Sequence, residues 1–96
     1  MYMKSTHHQL GTIIRDYRER NEMTQLQLAE KLNYDSAQFV SLFERGISKI
    51  PHETLGKLII LLGIPEKKIV ATLVNAFETE LTEKMNRGKI LGRKAL

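Results

Sequence analysis

The sequence predicts an all-α domain of five helices, and three observations favour this fold class. Apolar residues recur at intervals of three and four along most of the chain, which is the spacing of one helix face. No stretch alternates apolar and polar residues for long enough to form a strand. A chain of 96 residues, 42% hydrophobic and 27% charged, has the size and composition of one globular domain.

The first two helices are predicted to lie before residue 33. Helix 1 covers about residues 7–21, and its apolar face consists of Leu10, Ile13, Ile14 and Tyr17. Helix 2 begins at Thr24, whose hydroxyl can cap it while Gln27, three residues later, reaches back in a capping box. Its predicted inner face consists of Leu28, Ala29 and Leu32.

Helix 3 is predicted to follow after a short turn at residues 33–35. Asp35 is suited to cap this helix, which runs to about Arg45. Because the turn lacks a glycine, we expect Asn33 to take the left-handed conformation there. Gly46 suits the left-handed position just after the helix. The apolar face is predicted to be Val40 and Phe43, helped by Phe39.

Helices 4 and 5 are predicted to start at prolines. Pro51 and Pro65 each precede an apolar pattern, and proline is favoured at a helix start. Helix 4 stops at a glycine, and helix 5 is expected to end at about Asn86 with Gly88 past its end. The last ten residues, RGKILGRKAL, are expected to form a basic, mobile tail.

The fifth predicted helix carries an apolar stripe that continues for four turns or more. Its first residues suit the core of the domain, but four short helices cannot cover the distal ones. We therefore expect a dimerisation helix, because pairing of two such helices in a homodimer is the simplest closed arrangement. The predicted interface residues are Val70, Leu73, Val74, Phe77, Leu81 and Met85.

Composition restricts the possible functions. The net charge of +4 permits a polyanionic partner without requiring one. The absence of cysteine excludes disulfides and thiolate metal sites. His7 and His8 are adjacent and His52 is distant in sequence, so no metal site is predicted. No carboxylate pair, Ser/His/Asp set or glycine-rich phosphate loop occurs at usable spacing, so neither an enzyme nor a cofactor is predicted.

Residues 24–46 show the pattern of a helix-turn-helix, in which the first helix carries a small inner residue where the second crosses it. Ala29 is that small residue. LGTIIRDYRERNEMTQLQLAEKL, followed later by FERG, resembles the lambda-repressor-like, Cro-type helix-turn-helix family of bacteria and phages, over about residues 10–69. The matching positions are Leu10, Gly11, Arg15, Arg18, Thr24, Gln25, Leu28, Ala29, Glu44, Arg45 and Gly46, and more loosely Pro51, Thr54, Leu55, Lys57, Leu58, Leu62, Gly63 and Ile64.

The resemblance implies that helix 3 enters the major groove of double-stranded DNA. There Gln38 can form two hydrogen bonds to one adenine. The two serines of the candidate set can donate or accept hydrogen bonds, and its alanine and leucine can contact thymine methyl groups. The alternative is a solvated helix face, on which Ser and Gln are common, with Leu42 in the core or in a protein contact. The candidate base-contacting residues are Ser36, Ala37, Gln38, Ser41 and Leu42.

Other residues are expected at the DNA phosphates. By resemblance, Gln25 at the start of helix 2 contacts a phosphate, aided by the helix N-terminal amides. The predicted cations are Arg45 and Lys49, for which plain surface charge is the alternative. Thr24 completes this candidate set. The resemblance also implies a structural ion pair between Arg18 and Glu44.

Together these observations predict a domain organisation and a function. Residues 1–9 form an N-terminal arm and the start of helix 1, residues 10–69 the helix-turn-helix domain, residues 70–86 the dimerisation helix and residues 87–96 the tail. The resemblance implies a transcriptional regulator, a repressor that binds a palindromic operator as a homodimer with half-sites about 34 Å apart or a multiple of that.

Two alternative functions remain open. An antitoxin-like module would use the same scaffold to hold a protein partner on helix 5, and an architectural DNA binder would rely on the basic tail. No signal peptide or membrane segment is predicted, which favours the cytoplasm. The family resemblance implies that the chain is encoded by a bacterium or by a phage.

Overall fold

The computed structural model describes residues 6–96, and this part of the chain forms five α-helices and no strand. The predicted all-α, five-helix fold with a long C-terminal helix is confirmed. Most of the predicted N-terminal arm, residues 1–5, lies outside the described residues. The helices are α1 (Thr6–Arg20), α2 (Gln25–Lys31), α3 (Gln38–Glu44), α4 (His52–Leu62) and α5 (Glu66–Lys94).

One apolar core joins all five helices, with α1 in contact with α3, α4 and α5, and α2 packed on α3. Ala29 on α2 is fully buried, as expected for a small residue at a close helix crossing. The buried apolar residues are Leu10, Ile14, Leu28, Ala29, Leu32, Val40, Phe43, Ile50, Leu55, Leu58, Leu62, Ile64 and Ile69.

The first three helices all end in a Schellman motif, in which a left-handed residue reverses the chain. These residues are Glu22, Asn33 and Gly46, with φ of 55°, 64° and 71°. At each end, the amide of this residue and the next amide donate back to carbonyl oxygens in the last turn of the helix. The left-handed conformations predicted for Asn33 and Gly46 are therefore confirmed.

The predicted helix starts are confirmed for α2, α4 and α5. Thr24 Oγ1 accepts from the Gln27 amide at 3.0 Å, and Gln27 Oε1 accepts from the Thr24 amide at 2.8 Å, so the capping box is complete. Pro51 and Pro65 occupy the N-cap positions of α4 and α5. These starts depend on residues within one turn, which explains why the sequence predicts them.

The predicted start of the third helix is wrong. Asp35 does not cap α3, which begins three residues later at Gln38 with Ala37 in the N-cap position. Ser36 Oγ instead accepts from the Gln38 amide at 3.3 Å. The Tyr34 ring packs with its centroid 5.1 Å from that of Phe39. The chain, reversed at Asn33, therefore bends again at residues 35–37 beside this contact, and the helix begins only after these bends.

The predicted end of the fifth helix is also wrong, because α5 continues past Asn86 to Lys94. The segment predicted as a mobile tail is therefore helical through Lys94. Gly88 and Gly92 lie inside the helix without a left-handed φ. A glycine costs a helix only about 1 kcal/mol relative to alanine. The basic residues Arg93 and Lys94 in the last turn favour continuation, since they complement the helix dipole.

The 29 residues of α5 form a rod about 43 Å long. Its first turn is anchored by the buried Ile69 and by Lys68, whose Nζ lies 5.3 Å from the centroid of the Tyr17 ring on α1. Beyond Leu73, which also packs against the core, α5 projects from the domain and gives the described chain a longest dimension of 59 Å against 24 and 23 Å. Within residues 6–96, no helix combines the length and apolar character needed to cross a bilayer.

Candidate nucleic-acid interface

The structure brings four of the predicted site residues onto one face of α3. Gln38, Ser41, Leu42 and Arg45 are spaced by three, one and three residues, so they share a helix face. Gln38 and Arg45 are exposed, whereas Ser41 and Leu42 are half-buried. The opposite face holds the buried residues Val40 and Phe43. We call the four-residue face the α3 stripe.

The other two candidate base-contacting residues precede the helix. Ser36 is exposed, and its hydroxyl accepts the hydrogen bond from the Gln38 amide. Ala37 is half-buried at the N-cap position. Both therefore lie at the N-terminal end of the α3 stripe, next to Gln38, rather than on the helix itself.

A glycine on α1 allows α3 to lie directly against it. A Cβ added at Gly11 would be 2.6 Å from the carbonyl oxygen of Glu44 and closer still to that of Phe43. No real Cβ approaches backbone oxygens this closely, so Gly11 is the residue that the contact requires. The last turn of α3 is thereby held on α1, and the α3 stripe faces away from it.

A buried ion pair fixes the same end of α3. Arg18 Nε donates to Glu44 Oε2 at 2.6 Å and Arg18 Nη2 donates to Glu44 Oε1 at 3.0 Å, while the two residues are only 9% and 7% exposed. Arg18 Nη1 also donates to the Met23 carbonyl oxygen at 2.7 Å. This bidentate geometry is the strongest that an arginine and a carboxylate form. The pair joins α1, the loop after it and α3.

The protonation of Arg18 is secure in this setting. The hydrogen bond to Glu44 raises the pKa of the guanidinium, burial opposes it, and the charge of Glu44 raises it further. A raised pKa in the folded state means that this contribution to stability is complete below the ordinary pKa of arginine. Arg18 therefore stays charged over the whole range in which proteins are usually studied.

Gln25 belongs to the same network, which the sequence did not predict. Its Nε2 donates to Glu44 Oε1 at 3.1 Å, and the side chain is half-buried. One N–H of the amide is used in this bond and the second stays available for a phosphate oxygen. Because Glu44 precedes Arg45 in the chain, the bond places the start of α2 beside the end of α3.

Two of the four candidate phosphate-contacting residues, Gln25 and Arg45, consequently lie near the C-terminal end of α3. Thr24 precedes Gln25, and Lys49 lies in the loop that follows Arg45. Thr24, Arg45 and Lys49 are exposed. Arg45 Nε is 3.4 Å from the Ser41 carbonyl oxygen, which leaves its terminal nitrogens for other acceptors.

Two apolar side chains near the α3 stripe were not predicted as site residues. Phe39 follows Gln38 and is half exposed, although its ring packs against Tyr34 and lies 6.2 Å from the Phe43 ring. Ile47 is exposed in the loop between Arg45 and Lys49. The sequence pattern assigned Phe39 to the apolar face of the helix, and only its surroundings show that half of it is uncovered.

The apolar stripe of α5 is uncovered along most of its length. Leu73 packs against the core of its own domain, but the next members are exposed, Phe77 by 65%. Because the helix does not stop at residue 86, the stripe continues through Gly88, Leu91 and Gly92, which the sequence analysis missed. We define the α5 face as Val70, Val74, Phe77, Leu81, Met85, Gly88, Leu91, Gly92 and Ala95.

Comparison with known proteins agrees with this architecture. Two crystal structures of the clp gene regulator ClgR from Corynebacterium glutamicum share the fold. One has a TM-score of 0.66 and 23% identity, covering 78% of this chain and 95% of that chain. The other has a TM-score of 0.65 and 20% identity, covering 92% of each chain. No curated protein matches the sequence closely enough to count as a relative.

A model of the helix-turn-helix family matches residues 14–69, which is more than half of the 96 residues. This region begins inside α1 and ends at the anchored first turn of α5, so it contains the α3 stripe and every residue of the buried core except Leu10. The chain belongs to the helix-turn-helix family, of the lambda-repressor-like type that its sequence resembles.

Proposed function

We propose that the protein is a DNA-binding transcriptional regulator that reads a specific base sequence with the α3 stripe. The observation that carries this proposal is the exposed face from Gln38 to Arg45, on a helix held in place by Gly11 and by the buried Arg18–Glu44 pair. Membership of the helix-turn-helix family favours the same function, and so does the regulatory role of the structurally similar ClgR.

The two ends of the α3 stripe have different tasks in this proposal. The N-terminal end, with Ser36, Ala37 and Gln38, enters the major groove and contacts base edges. The C-terminal end, with the neighbouring start of α2, binds backbone phosphates through Thr24, Gln25, Arg45 and Lys49. Phosphate contacts set position and orientation, and the base contacts then supply specificity.

A homodimer would present two such stripes to one operator. We propose that two copies pair through the α5 face and bind a palindromic site in the cytoplasm, where occupation of the site represses transcription. The exposed apolar residues of the α5 face support the pairing, because surfaces of this kind mark protein contacts. A two-fold dimer matches the symmetry of a palindrome.

Replacing Gln38 by alanine is expected to cost about 1–3 kcal/mol in binding to the operator and to remove discrimination at one base pair. The amide is exposed at the N-terminal end of the α3 stripe, where it can bond two atoms of one base. Binding is measured on the DNA upstream of the gene, with random-sequence competitor and single base-pair changes. If no sequence outcompetes the random DNA, or Gln38→Ala binds every site as wild type does, specific recognition by α3 is wrong.

Arg45→Ala should behave differently, because its partner is a phosphate that every sequence presents. We expect weaker binding to all sequences alike, and a decrease of about one in the slope of log affinity against log salt. Titrations at several salt concentrations, on operator and random DNA, measure both effects. Arg15→Ala is the control, since Arg15 lies on α1 in an exposed ion pair with Glu19. A loss confined to the operator would make Arg45 a base contact instead.

Phe77→Glu is expected to dissociate the homodimer. A carboxylate would replace the one aromatic ring of the α5 face in both copies, and loss of buried phenylalanine packing alone costs about 3 kcal/mol or more. Sedimentation should show a monomer that binds a half-site but has lost most of its affinity for the palindrome. Thr79→Glu, on the polar side of α5, should remain dimeric.

The second candidate function is an antitoxin-like module, and the exposed α5 face also favours it. In that case the α5 face binds a different protein instead of a second copy. The wild type then sediments as a monomer, and Phe77→Glu leaves DNA binding unchanged. Gln38→Ala distinguishes the architectural hypothesis from specific recognition. It would have no effect on a protein that binds DNA without reading its sequence.

A further inference from the structure

The two halves of the α5 face differ in the size of their side chains. The first half carries large residues, among them Val74, Phe77 and Leu81. The second half carries Gly88 and Gly92, and nothing lies within 4 Å of the position that a Cβ would take at either glycine. All of these residues fall on one side of the helix at a period of 3.6. A partner helix therefore meets large side chains along the first half, and in the second half it finds space at the two glycines beside Leu91.

We propose that the α5 helices of two copies pair antiparallel, with the two-fold axis at about the level of Glu83. This inference rests on the homodimer of the proposed function and adds the direction in which its helices run. Two independent features of α5, the sizes of its side chains and the order of its charges, select the same direction and the same register.

Size complementarity is the first feature. With the axis near Glu83, Phe77 of one copy lies at the level of Gly88 of the other, and Val74 lies at the level of Gly92. Phe77 and Val74 thus each meet a glycine, where a helix backbone can approach closely, while Leu81 lies at the level of Met85. Parallel pairing in register would instead set Phe77 against Phe77 and leave unfilled space between facing glycines, which costs packing energy.

Charge order is the second feature. Beside the α5 face, the middle of the helix is acidic, with Glu78 and Glu80, and its C-terminal part is basic, with Lys84, Arg87, Lys89, Arg93 and Lys94. In the antiparallel register the acidic part of each copy faces the basic part of the other. Parallel pairing would place acid beside acid and base beside base, which is unfavourable at helix interfaces.

The charged residues that border the α5 face show which ion pairs would form between the two copies. Glu80 and Arg87 border one edge of the face, and Glu78 and Lys89 border the other. Helices that run antiparallel bring like edges together. The same register that sets Phe77 against Gly88 then places Glu80 near Arg87 of the second copy and Glu78 near Lys89 of the second copy.

Glu80 is ionised for this role. Its Oε1 accepts a bond from Lys84 Nζ at 2.7 Å in its own chain, and that bond lowers the pKa of the Glu80 carboxyl. The pair is exposed, so the carboxylate can also accept a bond from a second copy.

The direction of pairing determines the shape of the dimer. In the antiparallel pair the two helix-turn-helix domains lie at opposite ends, with the starts of the two α5 helices about 50 Å apart at about 1.5 Å per residue. In a parallel pair they would lie side by side.

Distances between identical labels test the direction. The chain has no cysteine, so single cysteines at Asn75, Glu83 and Arg93, all exposed on α5, can each carry one spin label in the full-length protein. We expect the shortest separation at Glu83, with an additional axial offset of about 24 Å at Asn75 and about 30 Å at Arg93. Equal separations at the three positions would mean a parallel pair and would overturn the inference.

Charge reversal gives a second readout. Glu78→Lys alone should weaken dimerisation on the order of tenfold, because symmetry produces two like-charge contacts with Lys89. Lys89→Glu alone should weaken it similarly, and the two changes together should restore it. Glu83→Lys, on the polar side of α5, is the control and should leave the dimer unchanged. Failure of the double variant to recover would contradict the pairing of Glu78 with Lys89.

The outcomes separate this inference from the proposal on which it rests. A wild-type monomer in sedimentation at micromolar concentration would overturn the homodimer and the antiparallel pair together. A dimer with equal label separations would overturn the antiparallel pair alone and would leave the homodimer and its operator in place.

Discussion

Replacing Arg18 by alanine is expected to lower the free energy of unfolding by at least about 3 kcal/mol. The substitution leaves the Glu44 carboxylate 7% exposed without its bidentate partner and removes the bond to the Met23 carbonyl oxygen. A buried charge without a partner costs more than the pair contributed. Urea denaturation, followed by the loss of helical circular dichroism, measures the change.

The exposed ion pair between Arg15 and Glu19 supplies the matched control. Its two side chains are 66% and 55% exposed at an N–O distance of 2.9 Å. Arg15→Ala on the same helix should cost less than about 1 kcal/mol, since solvent screens such pairs. If Arg15→Ala and Arg18→Ala destabilised the protein equally, burial would not be the source of the effect.

Replacing both Arg18 and Glu44 tests whether an unpaired buried charge is the cause of the lost stability. Arg18→Met combined with Glu44→Leu leaves no unpaired charge and fills a similar volume. We expect this double variant to be more stable than Arg18→Ala alone, because apolar replacements of buried ion pairs are often neutral or better. It also removes the acceptor of Gln25, so weaker phosphate binding with restored stability would show that Glu44 positions the start of α2.

The second large effect is expected for Gly11→Ala, at about 2–3 kcal/mol of lost stability. The added methyl group would meet the carbonyl oxygens of Phe43 and Glu44, which are backbone atoms and cannot rotate away. α1 and α3 would have to separate, and the Arg18–Glu44 pair spans the same two helices. The change in unfolding free energy is measured by urea denaturation, as for Arg18.

Gly56→Ala is the control for this prediction. Gly56 also lies inside a helix, but nothing is within 4 Å of its would-be Cβ. Alanine there should stabilise the protein by about 0.5–1 kcal/mol, because it restricts the unfolded chain and favours the helix. The two glycine substitutions should therefore have opposite signs. A stabilising Gly11→Ala would show that α1 and α3 are not in close contact.

Much of the fold was predictable because its signals are local. The capping box at Thr24 and Gln27, the prolines before α4 and α5, and the left-handed Asn33 and Gly46 all act within about one helical turn. The apolar spacing that predicts a helix is equally local. These features do not depend on what packs against the helix, so they can be recognised in the sequence.

The two wrong helix boundaries have non-local causes. Asp35 has a good capping side chain, but beside the contact of Tyr34 with Phe39 the chain still bends at residues 35–37, so α3 starts later. Gly88 resembles a helix stop, yet a glycine ends a helix only where the chain takes a left-handed turn. At Gly46 and Gly63 the chain reverses towards the core, whereas α5 projects away from it and has nothing to turn towards.

The sequence by itself determined the five helices, most of their ends and the helix-turn-helix pattern, since these follow from neighbours along the chain, and its resemblance to a known family supplied the candidate residues at bases and phosphates. The tertiary structure decided where those residues lie relative to each other. Gln25 meets Glu44, next to Arg45 at the end of α3, only because α1, α2 and α3 pack together. Packing likewise decided that Leu73 is covered while Phe77 is not, because burial depends on residues far away in sequence.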